Sequence, residues 1–460
     1  MKYKFKDDFM WGAASSAEQS EGTIEGDGKG KTVWDLWYEK EPKRFFNSIP
    51  PYETSTFYKN AKEDIQRMKA LNFNSYRTSI SWARLIPDGV GEVNEKAVEF
   101  YNFIIDEMKA NGIEPMITLF HFDMPAKMQE IGGWESREVV DAYGQYAKKC
   151  FELFGDKVKF WFTHNEPIVP AEGGYLYDFH YPNVLDFKKA VQVGYHEILS
   201  SAIAIREYRK LNLKGDIGIV LNLGPVYPRS QHPADVEAAR IGDMFNNKAF
   251  LDPAIKGEYA KELVDFLKEH DLLPEYSKED LEIIKENTID RLGINYYAPT
   301  RVKAKEHLIN PNAPLTPRSF YDIYDMPGRR VNEFKNWEIY PEGLYEMGIR
   351  FRDEYNNIPW YVSENGMGVP EDSYDFNSEN DLNDDYRIDF LRGHLECVNK
   401  AIEEGSNCFG YHIWTFIDCW SWMNAYRNRY GLYALDLKTQ ERRIKESGKW
   451  YREVIKNNGF

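Results

Sequence analysis

The chain alternates between strand-like and helical segments from end to end, and this alternation limits its fold more than any other feature. Short apolar runs predict eight strands, and amphipathic runs between them predict helices. The predicted strands are 9–15, 73–80, 113–120, 158–163, 217–222, 291–296, 360–363 and 407–414. Because repeated βα units build parallel sheets that are buried on both faces, we expect an α/β protein.

Eight such units favour a closed (β/α)8 barrel, the TIM barrel, over an open doubly wound sheet. The irregular stretches 22–55, 298–340 and 366–384 are expected to be long βα loops, which build the active-site face of such a barrel. No linker-like tract interrupts the pattern, so residues 1–460 are predicted to form a single domain. The predicted helices are 56–71, 95–111, 138–154, 187–211, 342–354 and 385–404.

Composition excludes several classes of protein. The net charge of −16 argues against nucleic acid as a partner, because phosphate backbones need a surplus of Lys and Arg. No apolar run is long enough to span a membrane, and the first residues lack the apolar segment of a signal peptide, so a cytoplasmic protein is expected. The four cysteines lack C-x-x-C spacing and are expected to be free thiols, and with no metal-ligand pattern neither a metal nor a cofactor is predicted.

Two glutamates stand out by their context. Glu166 follows the fourth predicted strand and precedes Pro167, and Glu364 follows the seventh and precedes Asn365 and Gly366. These positions lie on the carboxyl-terminal rim, where barrel enzymes carry their catalytic groups. A helix cap or a loop salt bridge would explain either glutamate alone, but two on one rim, each beside an Asn, favour catalysis.

Two facing carboxyl groups are suited to glycoside hydrolysis. One must be protonated to donate to the leaving oxygen, and the other must be ionised to attack the anomeric carbon. Arg77, at the end of the second predicted strand, can keep one glutamate ionised, because an opposite charge lowers a carboxyl pKa; a structural ion pair is the alternative for this arginine. The predicted separation of the carboxyl groups is about 5–5.5 Å, the retaining geometry.

The chain resembles glycoside hydrolase family 1, the retaining β-glycosidases, over nearly its whole length. The resemblance is carried by the segments 9–14 with 19–22, 76–82, 118–125, 163–167, 292–297, 337–344 and 363–366, and by Trp414 followed by 421–422. It implies a TIM barrel in which Glu166 is the general acid/base and Glu364 the nucleophile. It also implies that Arg77, Asn295 and Tyr297 orient and tune the nucleophile.

The same resemblance implies a subsite for the non-reducing sugar, the glycone. Its implied contacts are Gln19, His121, Asn165 and Trp414, and Asn295, Tyr297 and Trp337 are further predicted substrate contacts. An amide at Asn165 can bond a sugar 2-hydroxyl, and Trp414 offers an apolar face, although a core Trp would look the same in sequence. Phe122 stands where the family usually has Trp, which keeps an apolar wall but loses a donor, and His164 is expected to serve packing.

The segment after the eighth predicted strand bears on the substrate. Ser421 stands where ordinary β-glucosidases of the family carry Glu, a carboxylate that would repel a 6-phosphate. This resembles the 6-phospho-β-glycosidase branch, whose phosphate pocket combines Ser, Lys and Tyr. Ser421 and Tyr430 match, but Asn428 occupies the Lys position, and the missing charge is expected from Arg427, Arg429 or Lys438. With Trp422 at its position, 6-phospho-β-galactosides remain an alternative substrate.

The expected function is therefore retaining hydrolysis of 6-phosphorylated β-glucosides, with a small-molecule β-glycoside as the partner and a homo-oligomer left open. The alternative is a β-glucosidase for unphosphorylated substrates, in which Ser421 is a neutral change. A non-catalytic sugar-binding barrel would need neither glutamate. A barrel isomerase would need a Gly-rich phosphate site after strands 7 and 8, which the sequence lacks.

Overall fold

The computed structural model of the protein describes residues 2–308, 310, 312–370 and 382–460. Eight parallel strands close into a barrel in the order β1-β8-β7-β6-β5-β4-β3-β2. This confirms the predicted α/β class and the (β/α)8 architecture. The strands are β1 (Met10–Ala14), β2 (Ser75–Ser79), β3 (Glu114–Phe120), β4 (Phe160–Asn165), β5 (Asp216–Asn222), β6 (Arg291–Asn295), β7 (Trp360–Asn365) and β8 (Cys408–Trp414).

Helices surround the barrel, and the six that the sequence predicted are present with ends within one residue. Four further helices, α7 to α10, fill the connection between β5 and β6. The helices of eight or more residues are α1 (Val33–Lys40), α2 (Phe57–Ala70), α3 (Glu95–Ala110), α4 (Arg137–Phe154), α5 (Ile168–Tyr175), α6 (Phe187–Lys210), α7 (Pro233–Asp243), α8 (Ala249–Lys256), α9 (Lys261–Glu269), α10 (Lys278–Glu286), α11 (Glu342–Glu354), α12 (Asp385–Glu403) and α13 (Glu446–Asn457).

The barrel interior is a packed core. Met116, Phe162, Val220 and Tyr361 come from four different strands and form one buried cluster. Strand β2 is buried at all five positions although its sequence is Ser-Tyr-Arg-Thr-Ser. Because buried polar groups need hydrogen-bond partners, the polar side chains of this strand must bond to neighbouring strands. Polar side chains of a buried strand thus reach the carboxyl-terminal rim of the barrel.

Strands β4 and β7 run two residues further than the sequence predicts, to Asn165 and Asn365. Glu364 therefore lies within β7, opposite Asn295 of β6, and not directly after the strand as we expected. The prediction ended both strands early because polar residues usually mark a loop. In a closed barrel, the backbone of these polar residues still pairs with the neighbouring strand, as Asn165 does with Val220.

The long loops contain more local structure than the sequence suggests. Segment 22–55 includes α1, and segment 298–340 carries four short strands: Thr300–Lys303, Asp322–Ile323, Val331–Asn332 and Trp337–Glu338. In the third predicted loop, the short strand Val369–Pro370 pairs with Asn428–Arg429, and residues 371–381 of that loop lie outside the described residues.

The predicted free thiols are confirmed, because all four cysteines are unpaired, and three of them are buried. No helix in the described part of the chain is both long and apolar enough to cross a membrane.

Candidate active site

A cavity of about 710 Å³ opens at the carboxyl-terminal ends of the barrel strands. Both predicted catalytic glutamates line it. So do most of the predicted substrate contacts: Gln19, His121, Asn165, Tyr297, Trp337, Trp414, Ser421, Trp422 and Tyr430. Barrel geometry explains this convergence, because residues far apart in sequence follow neighbouring strands and meet at one rim.

Glu166 comes directly after β4 and has a left-handed backbone with φ of 44°. Such a conformation strains a residue with a Cβ, and it is held here by a hydrogen bond from the Glu166 N–H to the carbonyl of Val220, 2.8 Å. Its carboxyl group accepts a 2.6 Å bond from the amide of Asn295. Burial, and then the neighbouring charge of Glu364, raise the pKa of Glu166 to about 8. This carboxyl group therefore keeps its proton at neutral pH.

Glu364 has a different set of partners. The guanidinium of Arg77 donates to Oε1, and the hydroxyl of Tyr297 donates to Oε2 at 2.6 Å. Burial raises the pKa of Glu364, while the charge of Arg77 and these hydrogen bonds oppose the rise. Glu166 accepts from an amide instead, and within the described residues no cation is bonded to it to oppose its rise. The two carboxyl groups are thus separated in acidity by their surroundings, as acid and nucleophile require.

Arg77 and Asn295 connect the polar groups beneath the cavity. Arg77 donates to Asn165 at 2.7 Å and to Thr118 at 3.0 Å, in addition to Glu364. Asn295 is buried and donates to Asn165 at 3.0 Å as well as to Glu166. The network therefore links both carboxyl groups through fixed amides. Two members that the sequence did not indicate are Thr118 and Ser363, whose hydroxyl donates to Asn295 at 2.5 Å.

His121 and Trp414 form one side of the cavity. Their rings stack with centroids 5.8 Å apart, and His121 Nε2 lies 3.2 Å from the amide of Asn165. Burial, and then the charge of Arg77, hold the pKa of His121 well below its usual range, so the imidazole is neutral. Its Nδ1 is buried without a partner in the described protein, which leaves one ring nitrogen for a ligand.

Gln19 is nearly inaccessible and held at both ends of its amide. It donates to the carbonyl of Trp420 at 2.9 Å and accepts from Ser16 at 2.9 Å. Phe122 keeps the predicted apolar wall, with its ring 5.2 Å from that of Trp422. Trp34, which the sequence did not indicate, stacks on Trp422 at 4.6 Å and also lines the cavity.

His164 supports the rim from behind, as expected. It is buried, does not line the cavity, and its Nε2 lies 2.8 Å from Ser200 of α6.

The predicted phosphate-binding residues of the loop after β8 do not all reach the cavity. Ser421 and Tyr430 line the cavity, but among the described residues that line it Asn428 does not appear. Asn428 is buried in the short ribbon with Pro370. Arg429 points inward, where it donates to the carbonyl of Leu435 at 2.6 Å.

The remaining cations suggested for this site differ in exposure. Arg427 lies on the exposed side of the loop, and Lys438 is exposed and does not line the cavity. The loop itself is tightly bent, because Trp422 and Ala425 both have positive φ. A buried carboxylate, Asp418, supports it by accepting from the Gly431 N–H at 2.8 Å and from Lys445 at 2.9 Å.

Lys335 is a cavity residue that the sequence did not indicate. It lies in the turn between strands Val331–Asn332 and Trp337–Glu338, and its ammonium group is 4.7 Å from the centre of the Trp337 ring. Burial, and then the charge of Arg427, lower its pKa to about 8. It was missed because it falls in a stretch predicted only as an irregular loop.

Comparison with known proteins identifies the family. The family model described as glycosyl hydrolase family 1 matches residues 1–460. The chain belongs to glycosyl hydrolase family 1. It is 58% identical over 460 residues to the 6-phospho-beta-glucosidase GmuD of Bacillus subtilis. The matched region covers 100% of this chain and 99% of that protein.

Two further relatives show the range of the similarity. A 6-phospho-beta-galactosidase of Clostridium acetobutylicum is 38% identical over 468 residues, covering 98% of this chain and 96% of that protein. The solved structure of a beta-glucosidase from Thermotoga maritima in complex with glucoimidazole superposes with a TM-score of 0.89 at 36% identity, covering 99% of this chain and 100% of the other. The predicted family resemblance is confirmed. The chain is a glycoside hydrolase.

Proposed function

We propose that residues 1–460 form one catalytic domain that hydrolyses 6-phosphorylated β-glucosides with retention of configuration. In the first step Glu364 attacks the anomeric carbon while Glu166 gives its proton to the departing oxygen. In the second step Glu166 takes a proton from water, and the water oxygen displaces Glu364 from the sugar. The chemistry needs no group beyond these two carboxyls.

The surroundings of each carboxyl support its role. A pKa of about 8 leaves Glu166 protonated at neutral pH, which a general acid requires. Glu364 receives hydrogen bonds from Arg77 and Tyr297, which favour its ionised form and hold both oxygens in place. A separation of about 5–5.5 Å between the two carboxyl groups remains our prediction for the retaining mechanism.

The cavity wall supports a sugar in the glycone position. Asn165 and the partnerless Nδ1 of His121 offer polar contacts beside the reacting centre. Trp414 provides a flat apolar surface for the ring. Gln19 is fixed by its neighbours, so it is preorganised for a sugar hydroxyl.

The phosphate preference is carried by one observation: Ser421, not a carboxylate, occupies the cavity wall beside Tyr430. Two unit charges about 4 Å apart repel by about 4 kcal/mol at an effective dielectric of about 20, so a glutamate here would disfavour a phosphate. The 58% identity to a protein named a 6-phospho-beta-glucosidase supports the same substrate class.

Two other substrate preferences have specific support. Similarity to the glucoimidazole complex of a beta-glucosidase favours unphosphorylated β-glucosides as the second candidate. Similarity to a 6-phospho-beta-galactosidase, together with Trp422 in the wall, extends the proposal to 6-phospho-β-galactosides.

The proposal is tested by comparing kcat/KM for p-nitrophenyl β-D-glucoside with kcat/KM for its 6-phosphate. We expect the phosphorylated substrate to be preferred by about 100-fold or more, which corresponds to about 2.8 kcal/mol of binding to the phosphate. Equal values, or preference for the free glucoside, would establish the second candidate instead.

A compartment follows from the substrate. Phosphorylated disaccharides form when a sugar phosphotransferase system imports them, so we place the enzyme in the bacterial cytoplasm. Fractionation of cells that express the native gene tests this: the activity should remain with the cytoplasmic marker, and activity in the culture medium would contradict it.

A further inference from the structure

One cation lines the cavity, and the charge of a second cation, from a different loop, acts on it. Lys335 lines the cavity from the turn between strands Val331–Asn332 and Trp337–Glu338. Arg427 belongs to the loop that carries Ser421 and Tyr430. Burial is the main cause of the lowered pKa of Lys335, and the positive charge of Arg427 is the second.

Neither cation has a carboxylate partner. In the described part of the chain, no salt bridge involves Lys335 or Arg427, whereas Arg301 and Arg329, two other cations of the cavity wall, are paired. Arg301 bonds both oxygens of Glu338 at 2.8 Å, and Arg329 bonds Asp325 at 2.5 Å. Two neighbouring positive charges without counterions are unfavourable in the free protein, and an anion between them would remove that cost.

The turn that carries Lys335 lies against the predicted phosphate side of the glycone subsite. Asn332, in the strand before the turn, donates to the carbonyl of Gly368 at 2.9 Å. Gly368 in turn lies against the Tyr430 ring so closely that an added Cβ would be 2.5 Å from it. Trp337, on which the Lys335 ammonium rests, packs with Tyr430 and Trp414 in one cluster.

From this geometry we propose that Lys335, backed by Arg427, supplies the positive charge that binds the substrate's 6-phosphate together with Ser421 and Tyr430. The inference rests on the proposed function. It replaces Asn428 as the source of the missing contact, since Asn428 is buried in the ribbon with Pro370 and does not line the cavity. It also leaves Arg429 a structural role, because that side chain points to the carbonyl of Leu435.

The role is one of binding and specificity, not of bond cleavage. An ammonium group that bonds a phosphate makes a charge-assisted hydrogen bond, and we expect it to contribute about 10- to 100-fold in affinity, which corresponds to about 1.4–2.8 kcal/mol. Because the phosphate is remote from the anomeric carbon, we expect the effect to appear mainly in KM of the phosphorylated substrate.

The test measures kcat and KM of Lys335→Gln for p-nitrophenyl β-D-glucoside 6-phosphate and for the free glucoside. We expect kcat/KM to fall about 10- to 100-fold for the phosphorylated substrate and by less than about 2-fold for the free one. Lys335→Arg, which keeps the charge, should recover most of the loss, and Arg427→Gln should give a smaller loss with the same selectivity.

Lys438→Gln is the matched control, because it removes the same charge from an exposed position that does not line the cavity. It should leave the ratio of the two kcat/KM values unchanged. If the wild type prefers the phosphorylated substrate and Lys335→Gln keeps that preference, Lys335 is not the phosphate ligand and only this inference fails. If the wild type shows no preference, the proposed function fails with it. An equal loss for both substrates would make Lys335 a general structural residue and overturn the proposal.

Discussion

The base of the cavity and its outer wall are built in different ways. At the base, Arg77, Asn295 and Glu364 lie on barrel strands, and each polar group bonds to another. At the wall, Ser421 and Lys335 lie in loops, where Lys335 has no counterion in the described protein. The proposed function therefore assigns the chemistry to the strands and the selection of the substrate to the loops, since rigid strands fix geometry better than loops.

Substitutions at the base of the cavity should reduce activity the most. Replacing Glu364 with Ala removes the proposed nucleophile, so we expect kcat to fall by about 10⁵-fold or more. Added azide can occupy the space and attack from the same face, which should restore turnover and yield an α-glycosyl azide. Product configuration by NMR checks this, and circular dichroism controls for folding. Retained turnover without azide, or a β-azide product, would exclude Glu364 as the nucleophile.

A smaller loss of activity is expected when Glu166, the proposed general acid, is replaced. Glu166→Gln keeps the size and hydrogen bonding of the side chain but cannot give a proton, and general acid catalysis contributes about 10²- to 10⁴-fold. The loss in kcat/KM, which reports the first step, should be large for a disaccharide and small for a 2,4-dinitrophenyl glycoside, whose leaving group needs no proton. The kcat for the dinitrophenyl glycoside should still fall, because Glu166 also activates the water of the second step. Steady-state kinetics on both substrates measures the contrast. An equal loss on both would assign Glu166 a binding role.

Substitutions of Arg77 test whether the residues at the bottom of the cavity lower the pKa of Glu364. Arg77→Gln removes the cation from Glu364 and should raise the pKa of that carboxyl by about 1–3 units. Glu364 must be ionised to attack, so the acid limb of the kcat/KM profile should move to higher pH. Arg77→Lys keeps the charge and should move it less. An unmoved acid limb in Arg77→Gln would reduce Arg77 to a structural ion pair.

The smallest expected effect is on the alkaline limb of the wild-type pH profile of kcat/KM. Glu166 acts while protonated, and its pKa is raised to about 8, so kcat/KM should decline above about pH 8, by about tenfold per unit at higher pH. With the free glucoside as substrate, whose binding does not involve Lys335, Glu166→Gln should lose this limb while keeping the acid limb. A limb that persists in the variant would belong to another group, such as the phosphate-binding cations.

The sequence predicted the base of the site better than its wall. All eight strands and the residues Glu166, Glu364 and Arg77 were found from strand patterns and the family resemblance, because strand ends converge on one rim whatever the loops do. Thr118 and Ser363 were not singled out, since nothing marks a hydroxyl on a strand as a partner of a distant amide.

The wall was predicted less well for a physical reason. The family resemblance placed Asn428 in the phosphate site, but its backbone pairs with Pro370, its side chain is buried, and it is not among the described residues that line the cavity. Lys335 belongs to a loop from another part of the chain, and no local pattern indicates which loop turns inward. Loop conformation depends on tertiary contacts, and this limits what sequence periodicity can show.

The division between base and wall is tested most directly by Ser421→Glu, with Ser421→Gln as the uncharged control of similar size. A carboxylate in the wall should repel a 6-phosphate, so kcat/KM for p-nitrophenyl β-D-glucoside 6-phosphate should fall by about 100-fold or more in Ser421→Glu relative to Ser421→Gln. The free glucoside should be hydrolysed about equally by both variants, because the base is untouched. Equal losses on both substrates, or an unchanged ratio of their kcat/KM values, would contradict a wall that selects the phosphate and a base that performs the chemistry.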